Sequence, residues 1–217
     1  MTTYEKTEAI CRAAKAASKN LAILNTKSKN QVLEKIAEKL KIKCDKIISE
    51  NEKDLFNAKE NGIPAPMLDR LMLNKERIDG IRDSLVSLIK LPDPIGSGSV
   101  TTTACGLEIC CEKVPLGVVA MIYEARPNVT VDAAALCIKT GNAVVLRGGK
   151  EAIFTNLALV CAMKEALSEC NISPDVLGFI EPGQGHESAN ALMSMKDCVD
   201  VLIPRGSKRL IEAVVKN

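Results

Sequence analysis

Three glycine-bearing loops in the carboxyl-terminal half of the sequence have the residue types that bind phosphate groups. The first reads Arg147-Gly148-Gly149-Lys150-Glu151 and opens a predicted helix. Its glycines let a ligand approach the backbone closely, and the N–H groups at a helix start attract anions. The two cations suit a phosphate, and the carboxylate can accept hydrogen bonds from a ribose. The pattern is neither G-x-G-x-x-G nor a P-loop, so alone it fits an ordinary tight turn equally well.

The other two loops repeat this chemistry after later strands. One contains Gly183 and Gly185, and the other contains Arg205, Gly206 and Ser207. Each loop has the alternative interpretation of a capped turn, since serine is a good helix cap. Ligands bind at the carboxyl ends of strands in doubly wound sheets. Three such loops in succession therefore favour a dinucleotide or another phosphorylated ligand.

A further polar segment follows the first strand of the predicted sheet. Glu124, Arg126 and Asn128 lie there, and Pro127 and Asn128 are placed at the start of a helix. An asparagine in that position can cap the helix, so the segment can also be a capped loop with a surface ion pair. If the strand ends form the binding edge, these polar side chains belong to it.

Candidate nucleophiles and metal ligands are poorly placed in this sequence. The nine cysteines include Cys110 and Cys111 in a predicted hairpin, and none lies in a strand-end loop beside a base, as an activated thiolate requires. The single histidine, His186, precedes a predicted helix and is more typical of a cap or surface residue than of a general base. No Cys-x-x-Cys pair occurs, so we predict no metal site and mostly reduced, buried thiols.

Apolar residues at helical spacing predict that the amino-terminal part of the chain is helical. Helices are predicted over residues 5–24 and 75–90, and the apolar recurrence over residues 33–55 predicts one further helical face between them. Asn61-Gly62 and the prolines that follow end this middle helix.

After a loop rich in proline and glycine, the pattern changes to short apolar runs. Residues 99–104 and 107–114 predict a β-hairpin. Strands are then predicted at residues 117–123, 143–147, 177–180 and 199–203, and helices at residues 129–139, 151–169, 186–195 and 207–216. This alternation predicts an α/β fold with a doubly wound, mostly parallel Rossmann-like sheet.

The composition excludes several functional classes. The 217 residues contain 29 Lys and Arg against 27 Asp and Glu, a formal net charge of +2. This balance argues against a nucleic-acid or membrane-surface partner, both of which need a concentrated basic face. Aromatic residues make up only 2%, so a base-stacking platform is not expected. The first residues contain no apolar signal-peptide region, and we expect a cytoplasmic protein.

Two sequence runs carry a family resemblance. Tyr-Glu-Ala-Arg-Pro-Asn-Val-Thr at residues 123–130 and Gly-Asn-Ala-Val-Val-Leu-Arg-Gly-Gly at residues 141–149 closely resemble the gamma-glutamyl phosphate reductases, also called glutamate-5-semialdehyde dehydrogenases, of the aldehyde dehydrogenase superfamily. The likeness covers the whole chain. It implies NADPH-dependent reduction of L-glutamyl 5-phosphate to glutamate 5-semialdehyde, with release of phosphate, in proline biosynthesis. Likeness to the superfamily also implies a homo-oligomer.

The resemblance also implies roles for individual residues. Gly206-Ser207 looks like the superfamily's turn at the cofactor pyrophosphate, and Asn128 is the candidate donor to the oxyanion. Arg147 replaces a superfamily lysine that holds the adenosine ribose. Arg147 or Lys150 could meet the 2′-phosphate of NADPH, although the sequence leaves the choice between NADPH and NADH open.

The resemblance further implies a division of the chain. We expect a helical segment over residues 1–94, a hairpin for oligomer contacts over residues 95–114 and the cofactor domain over residues 115–217. Family members are longer, and nothing here matches the segment that carries their catalytic cysteine. We therefore expect the catalytic domain to be absent and the chain to be inactive alone. The alternatives are a non-enzymatic nucleotide-binding or assembly module, and a relative with another acyl substrate.

Overall fold

The computed structural model describes residues 1–183 and 185–216, and these form helices around a small parallel sheet. The helices are α1 Thr3–Ala22, α2 Thr26–Ile42, α3 Cys44–Glu60, α4 Ala65–Leu71, α5 Lys75–Lys90, α6 Pro127–Lys139, α7 Ile153–Glu169, α8 Glu187–Met193 and α9 Lys208–Lys216. The strands are β1 Gly98–Thr102, β2 Glu108–Glu112, β3 Val118–Tyr123, β4 Ala143–Arg147, β5 Leu177–Phe179 and β6 Val201–Arg205.

The strands β3 to β6 form one parallel sheet in the order β5-β4-β3-β6. Helices α6 and α7 pack together on this sheet, and α1 and α8 pack together on it as well. The predicted α/β fold with a doubly wound sheet is thereby confirmed. Strands β4 and β5 extend the sheet on one side of β3, whereas β6 returns to the other side. The carboxyl ends of β3 and β6 therefore form a topological switch point, where doubly wound sheets bind ligands.

The sheet is the centre of the hydrophobic core. Val118, Ala120 and Val144 are completely buried, as is Ile138 of the helix α6 above them. Strands covered on both faces need apolar side chains at every position, because neither face meets water. This explains why the strands of the sheet read as continuous apolar runs rather than as alternating patterns.

The apolar recurrence over residues 33–55 does not form the single helix predicted from it. Helix α2 ends at Ile42 and α3 begins at Cys44, with Lys43 between them at φ −97° and ψ 12°. Both helices pack against α7. The chain bends at Lys43 so that α2 and α3 can each pack on α7. The helical spacing of apolar residues continues across the bend, so this tertiary contact and not the local sequence pattern sets its position.

Helix α4 was not predicted, because Pro64 and Pro66 were interpreted only as a stop. Helix α3 already ends at Glu60, before either proline, and Pro66 occupies the first turn of α4, where a missing N–H costs nothing. Asn51 of α3 fixes the far end of the new helix. Its side chain donates to the carbonyl of Leu71 over 2.9 Å and accepts from the N–H of Leu73 over 2.7 Å.

The strands β1 and β2 form the predicted antiparallel hairpin, which stands apart from the main sheet. Every residue of the two strands is exposed, including Val100 and Ile109. The domain boundaries proposed at residues 94 and 114 stay predictions.

The last strand of the sheet is shifted from its prediction. It runs over Val201–Arg205 instead of residues 199–203, so Pro204 and Arg205 pair with β3 rather than follow the sheet. In the described part of the chain, no helix combines the length and apolar character needed to cross a membrane.

Candidate functional site

A cavity of about 630 Å³ opens at the carboxyl ends of β3 and β4, between the loops that follow them and the helices α8 and α9. Its size is within the usual range for small-molecule sites. The predicted site residues that line it are Arg147, Gly149, Lys150, Glu151, Gly183, Gly185 and Ser207. The structure therefore brings together seven predicted residues from three separate loops.

Arg147 is the most enclosed cation of this cavity. Its side chain is half-buried, and Nε donates to the hydroxyl of Ser188 in α8 over 3.2 Å. Burial lowers the pKa of Arg147, and the charge of Glu151 acts in the opposite direction. A guanidinium remains protonated in proteins despite such a shift. The serine thus orients a permanent positive charge at the cavity wall, whereas Lys150 is exposed.

Gly148 is buried behind the cavity rather than lining it. A Cβ at this position would lie 2.4 Å from Nδ2 of Asn156 and 3.1 Å from the Tyr123 ring. These side chains are held by Thr130, whose hydroxyl donates to Oδ1 of Asn156 over 2.7 Å and contacts the Tyr123 hydroxyl at 2.6 Å. The missing side chain therefore lets the loop backbone sit directly on a buried polar network.

Gly183 and Gly185 line the cavity in a different way. A Cβ at either residue would meet no atom within 4 Å among the described residues, and Gly185 has φ of +65°. The missing side chains leave open space along the cavity edge. His186, the N-cap residue of α8, also lines the cavity, but its side chain makes no capping hydrogen bond.

The N-terminus of α9 is partly satisfied by an acidic side chain. The N–H of Ser207 donates to Oε1 of Glu124 over 2.7 Å. Gly206 makes this approach possible, since a Cβ there would lie 2.7 Å from the same oxygen. The glutamate therefore occupies the position at which the sequence predicted a pyrophosphate.

Asn128 lines neither this cavity nor a smaller one beside it, although Arg126 and Val129 line the smaller one. Its amide donates to Oδ2 of Asp132, one helical turn along α6, over 3.0 Å. Burial raises the pKa of Asp132, while the bond from Asn128 and the charge of Arg205 lower it. Within the described residues, the amide thus has a partner in its own helix, and its oxyanion role stays a prediction.

A second cavity of about 330 Å³ lies beside the first at the switch point between β3 and β6. Tyr123, Glu124 and Ser207 line both cavities. The predicted residues Arg205 and Gly206 line the second cavity and not the first. The predicted site is therefore divided between two adjoining spaces.

Several cavity residues were missed by the sequence analysis. Helix α8 contributes Ala189, Asn190 and Met193, and helix α9 contributes Leu210 and Ala213. The pairs Ala189–Met193 and Leu210–Ala213 are four and three residues apart, which places them on one face of each helix. This spacing could have indicated a cavity wall, but a helix face that packs on the hydrophobic core has the same spacing.

The nine cysteines are all described, and none lines either cavity within residues 1–183 and 185–216. Cys11, Cys137 and Cys198 are buried, while the other six are exposed or partly buried. Burial raises the pKa of Cys11 to about 12, assisted by the nearby Cys198, and burial raises the pKa of Cys137 to about 12. Such thiols are inert, because the thiolate is the reactive form.

The chain is similar in sequence and in fold to known gamma-glutamyl phosphate reductases. A gamma-glutamyl phosphate reductase of Carboxydothermus hydrogenoformans is 49% identical over 209 residues, covering 96% of this chain and 50% of that protein. The crystal structure of gamma-glutamyl phosphate reductase from Thermotoga maritima has a TM-score of 0.93 at 35% identity, covering 97% of this chain and 51% of that one. For the Saccharomyces cerevisiae structure, the TM-score is 0.87 at 27% identity, with 99% and 54% covered.

The chain spans about half the length of the curated relatives it matches. The model of the aldehyde dehydrogenase family matches residues 1–217. With that match over its whole length and a fold shared with the solved relatives, the chain belongs to the aldehyde dehydrogenase family.

Proposed function

We propose that the first cavity binds NADPH and that the chain serves the reduction of L-glutamyl 5-phosphate to glutamate 5-semialdehyde in the cytoplasm. The observation that carries this proposal is the convergence of Arg147, Lys150, Glu151 and Ser207 on one cavity at the strand ends. The similarity to gamma-glutamyl phosphate reductases supports the reaction and its place in proline biosynthesis.

The residues present fit a nicotinamide dinucleotide. The open edge at Gly183 and Gly185 is space that any Cβ would fill. Arg147 and Lys150 supply two cations next to the acceptor Glu151, which suits a phosphorylated ribose. The apolar faces of α8 and α9 form the remaining wall, and a flat adenine ring suits such a surface.

The chain's own residues would hold the cofactor at three points. Arg147 and Lys150 would bind the 2′-phosphate, and Glu151 would accept hydrogen bonds from the ribose. The N–H of Ser207, on the wall that both cavities share, would bind the pyrophosphate at the start of α9, once Glu124 has moved from it. When bound, the nicotinamide supplies the hydride for the reduction.

We also propose that the 217-residue chain does not turn over by itself. The expected chemistry needs a thiolate that attacks the acyl phosphate and forms a thioester, and no described cysteine lines either cavity. An assay of phosphate-dependent oxidation of the semialdehyde should give no product. Turnover by the homogeneous chain would contradict this and would direct attention to its nine cysteines.

A second candidate function is favoured by the hairpin. Val100, Leu107 and Ile109 are exposed on β1, β2 and the turn between them, and exposed apolar strands are typical of assembly surfaces. This supports a homo-oligomer, or an assembly module without activity. Light scattering after size-exclusion chromatography should show a defined dimer or larger particle, whereas a stable monomer would oppose it.

The cofactor proposal is tested by calorimetric titration of the chain with NADPH and then NADH. The expected result is tighter binding of NADPH, with Arg147→Ala or Lys150→Ala weakening NADPH by about tenfold or more and NADH far less. Lys90→Ala is a matched control, since Lys90 is exposed at the end of α5 and distant in sequence from the cavity loops. Equal loss for both nucleotides would contradict the assigned contact with the 2′-phosphate.

A further inference from the structure

Three arginines line the second cavity without a close ion pair among the described residues. Arg70, Arg126 and Arg205 all line it. Within the described part of the chain, none of the three forms an ion pair shorter than 4.0 Å or a side-chain hydrogen bond. Asp132 acts on Arg205 through its charge alone, and guanidinium groups that share one space repel one another less when an anion lies between them.

The other described arginine side chains have partners. Three of them bond to carboxylates, in the pairs Arg12–Glu8, Arg77–Asp69 and Arg82–Asp79. Arg147 of the first cavity is held by the Ser188 hydroxyl. The three arginines at the second cavity are exposed, as Arg12 is, but unlike Arg12 they form no direct side-chain ion pair or hydrogen bond among the described residues.

The fold positions these arginines through separate elements. Arg70 lies on α4, whose last turn is fixed by the two hydrogen bonds from Asn51. Leu71 of the same turn is 1% exposed and belongs to a small apolar cluster that Ala125 packs against. This packing holds α4 against the loop after β3, next to Arg126 in the chain.

The remaining two arginines are held by the sheet edge. Arg126 is the N-cap residue of α6, and its backbone N–H donates to the carbonyl of Glu124 over 2.7 Å. Arg205 is the last residue of β6 and pairs with Tyr123 in the parallel register. All three arginines thus line the cavity from backbone that is fixed by helix or strand structure.

We propose that Arg70, Arg126 and Arg205 form a phosphate subsite that binds the phosphoryl group of the substrate and the phosphate released from it. The inference rests on the proposed function, which supplies an acyl phosphate as substrate. Guanidinium groups bind phosphate oxygens in a bidentate manner, and several together suit a dianion. The only carboxylate that lines the cavity among the described residues is Glu124, which is bonded to the Ser207 N–H.

The position of the subsite fits this use. Tyr123, Glu124 and Ser207 form the wall common to both cavities. A phosphoryl group in the second cavity would lie across this shared wall from a cofactor bound in the first cavity. The pyrophosphate of the cofactor is the other source of phosphate chemistry here, and the experiment separates the two.

The test measures binding of inorganic phosphate to the 217-residue chain by calorimetry at constant ionic strength, with and without saturating NADPH. Arg70→Gln, Arg126→Gln and Arg205→Gln should each weaken phosphate binding by about tenfold or more, the usual effect of losing a hydrogen bond to a charged group. Arg126→Lys keeps the positive charge but loses the bidentate guanidinium, so it should bind phosphate more tightly than Arg126→Gln and less tightly than the unsubstituted chain. Arg12→Gln is the control and should bind as the parent chain does.

The outcomes separate the subsite from the cofactor site. Phosphate binding that persists in the presence of NADPH and falls only in the three cavity variants supports the proposal. Competition between phosphate and NADPH would overturn it, because the arginines would then serve the cofactor pyrophosphate. The absence of saturable phosphate binding, or unchanged affinity in all three variants, would overturn it as well. Phosphate binding without any NADPH binding would retain the subsite and reject the proposed cofactor function.

Discussion

The loops after β4 and β5 both contain two glycines, yet the glycines have different physical roles. Gly148 is buried against Asn156 and the Tyr123 ring, so its missing side chain allows the loop to pack on the protein. Gly183 has no atom within 4 Å of an added Cβ among the described residues, so its missing side chain leaves space for a ligand. A glycine motif can therefore mark a site by supporting its wall or by leaving its interior open.

Gly206 is intermediate between these two cases. A Cβ there would meet the Glu124 carboxyl group at 2.7 Å, which is the end of a flexible side chain rather than backbone. The glutamate could move at a modest cost, and it would have to move for a pyrophosphate to reach the Ser207 N–H. Adding a side chain is therefore expected to have a different effect at each of Gly148, Gly183 and Gly206.

The largest effect is expected for Gly148→Ala. The new methyl group would displace Asn156 or the Tyr123 ring from a hydrogen-bonded network. Overpacking of this kind costs about 1–3 kcal/mol, measured as a lower free energy of unfolding in urea. Gly183→Ala is the matched control, with a change within about 0.5 kcal/mol. If Gly148→Ala has the same urea midpoint of unfolding as the unsubstituted chain, the loop can shift to make room for the methyl group and the prediction is wrong.

The converse result is expected for Gly183→Val, which should affect ligand binding and not folding. The added side chain enters the open cavity edge, and steric conflict with a bound dinucleotide should weaken NADPH by about 1 kcal/mol or more. Calorimetry measures the affinity, and urea unfolding confirms an unchanged stability. If NADPH binds the variant as tightly as the parent, this edge is not part of the cofactor site.

The smallest effect is expected for Glu124→Gln, which removes the negative charge of the side chain that now binds the start of α9. A neutral amide competes less for the Ser207 N–H, so NADPH should bind about two- to fivefold more tightly, the range of a charge at a helix terminus. Glu112→Gln on the exposed hairpin is a suitable control, because it makes the same change in net charge. Weaker binding in Glu124→Gln would indicate that the carboxylate contacts the cofactor itself.

The sheet and its loops were predictable because buried parallel strands leave a clear record in the sequence. Runs such as residues 143–146 have no polar position, and a glycine-bearing loop follows directly after Arg147. The convergence of Arg147, Lys150 and Ser207 followed from the rule that strand ends share one edge. The sequence pattern was sufficient for these features because each strand and the loop after it are continuous in the chain.

The features that the sequence did not predict depend on tertiary contacts. The bend at Lys43 arises because α2 and α3 both pack on α7, and no residue in the local pattern requires it. The position of Arg70 depends on Asn51, which lies about one helix earlier in the chain and holds the end of α4. The second cavity could therefore not be predicted from the sequence, although the sequence analysis identified both Arg126 and Arg205 as polar residues that follow predicted strands.

The central claim is that the cavity at the strand ends holds the dinucleotide, and amide hydrogen exchange with and without NADPH tests it most directly. Binding of NADPH should slow exchange at residues 148–152 and at residues 207–210, which form the two loop–helix junctions beside the cavity. The exposed hairpin at residues 98–112 should be unchanged. Binding of NADPH without protection at either junction, or with protection confined to the hairpin, would contradict the claim.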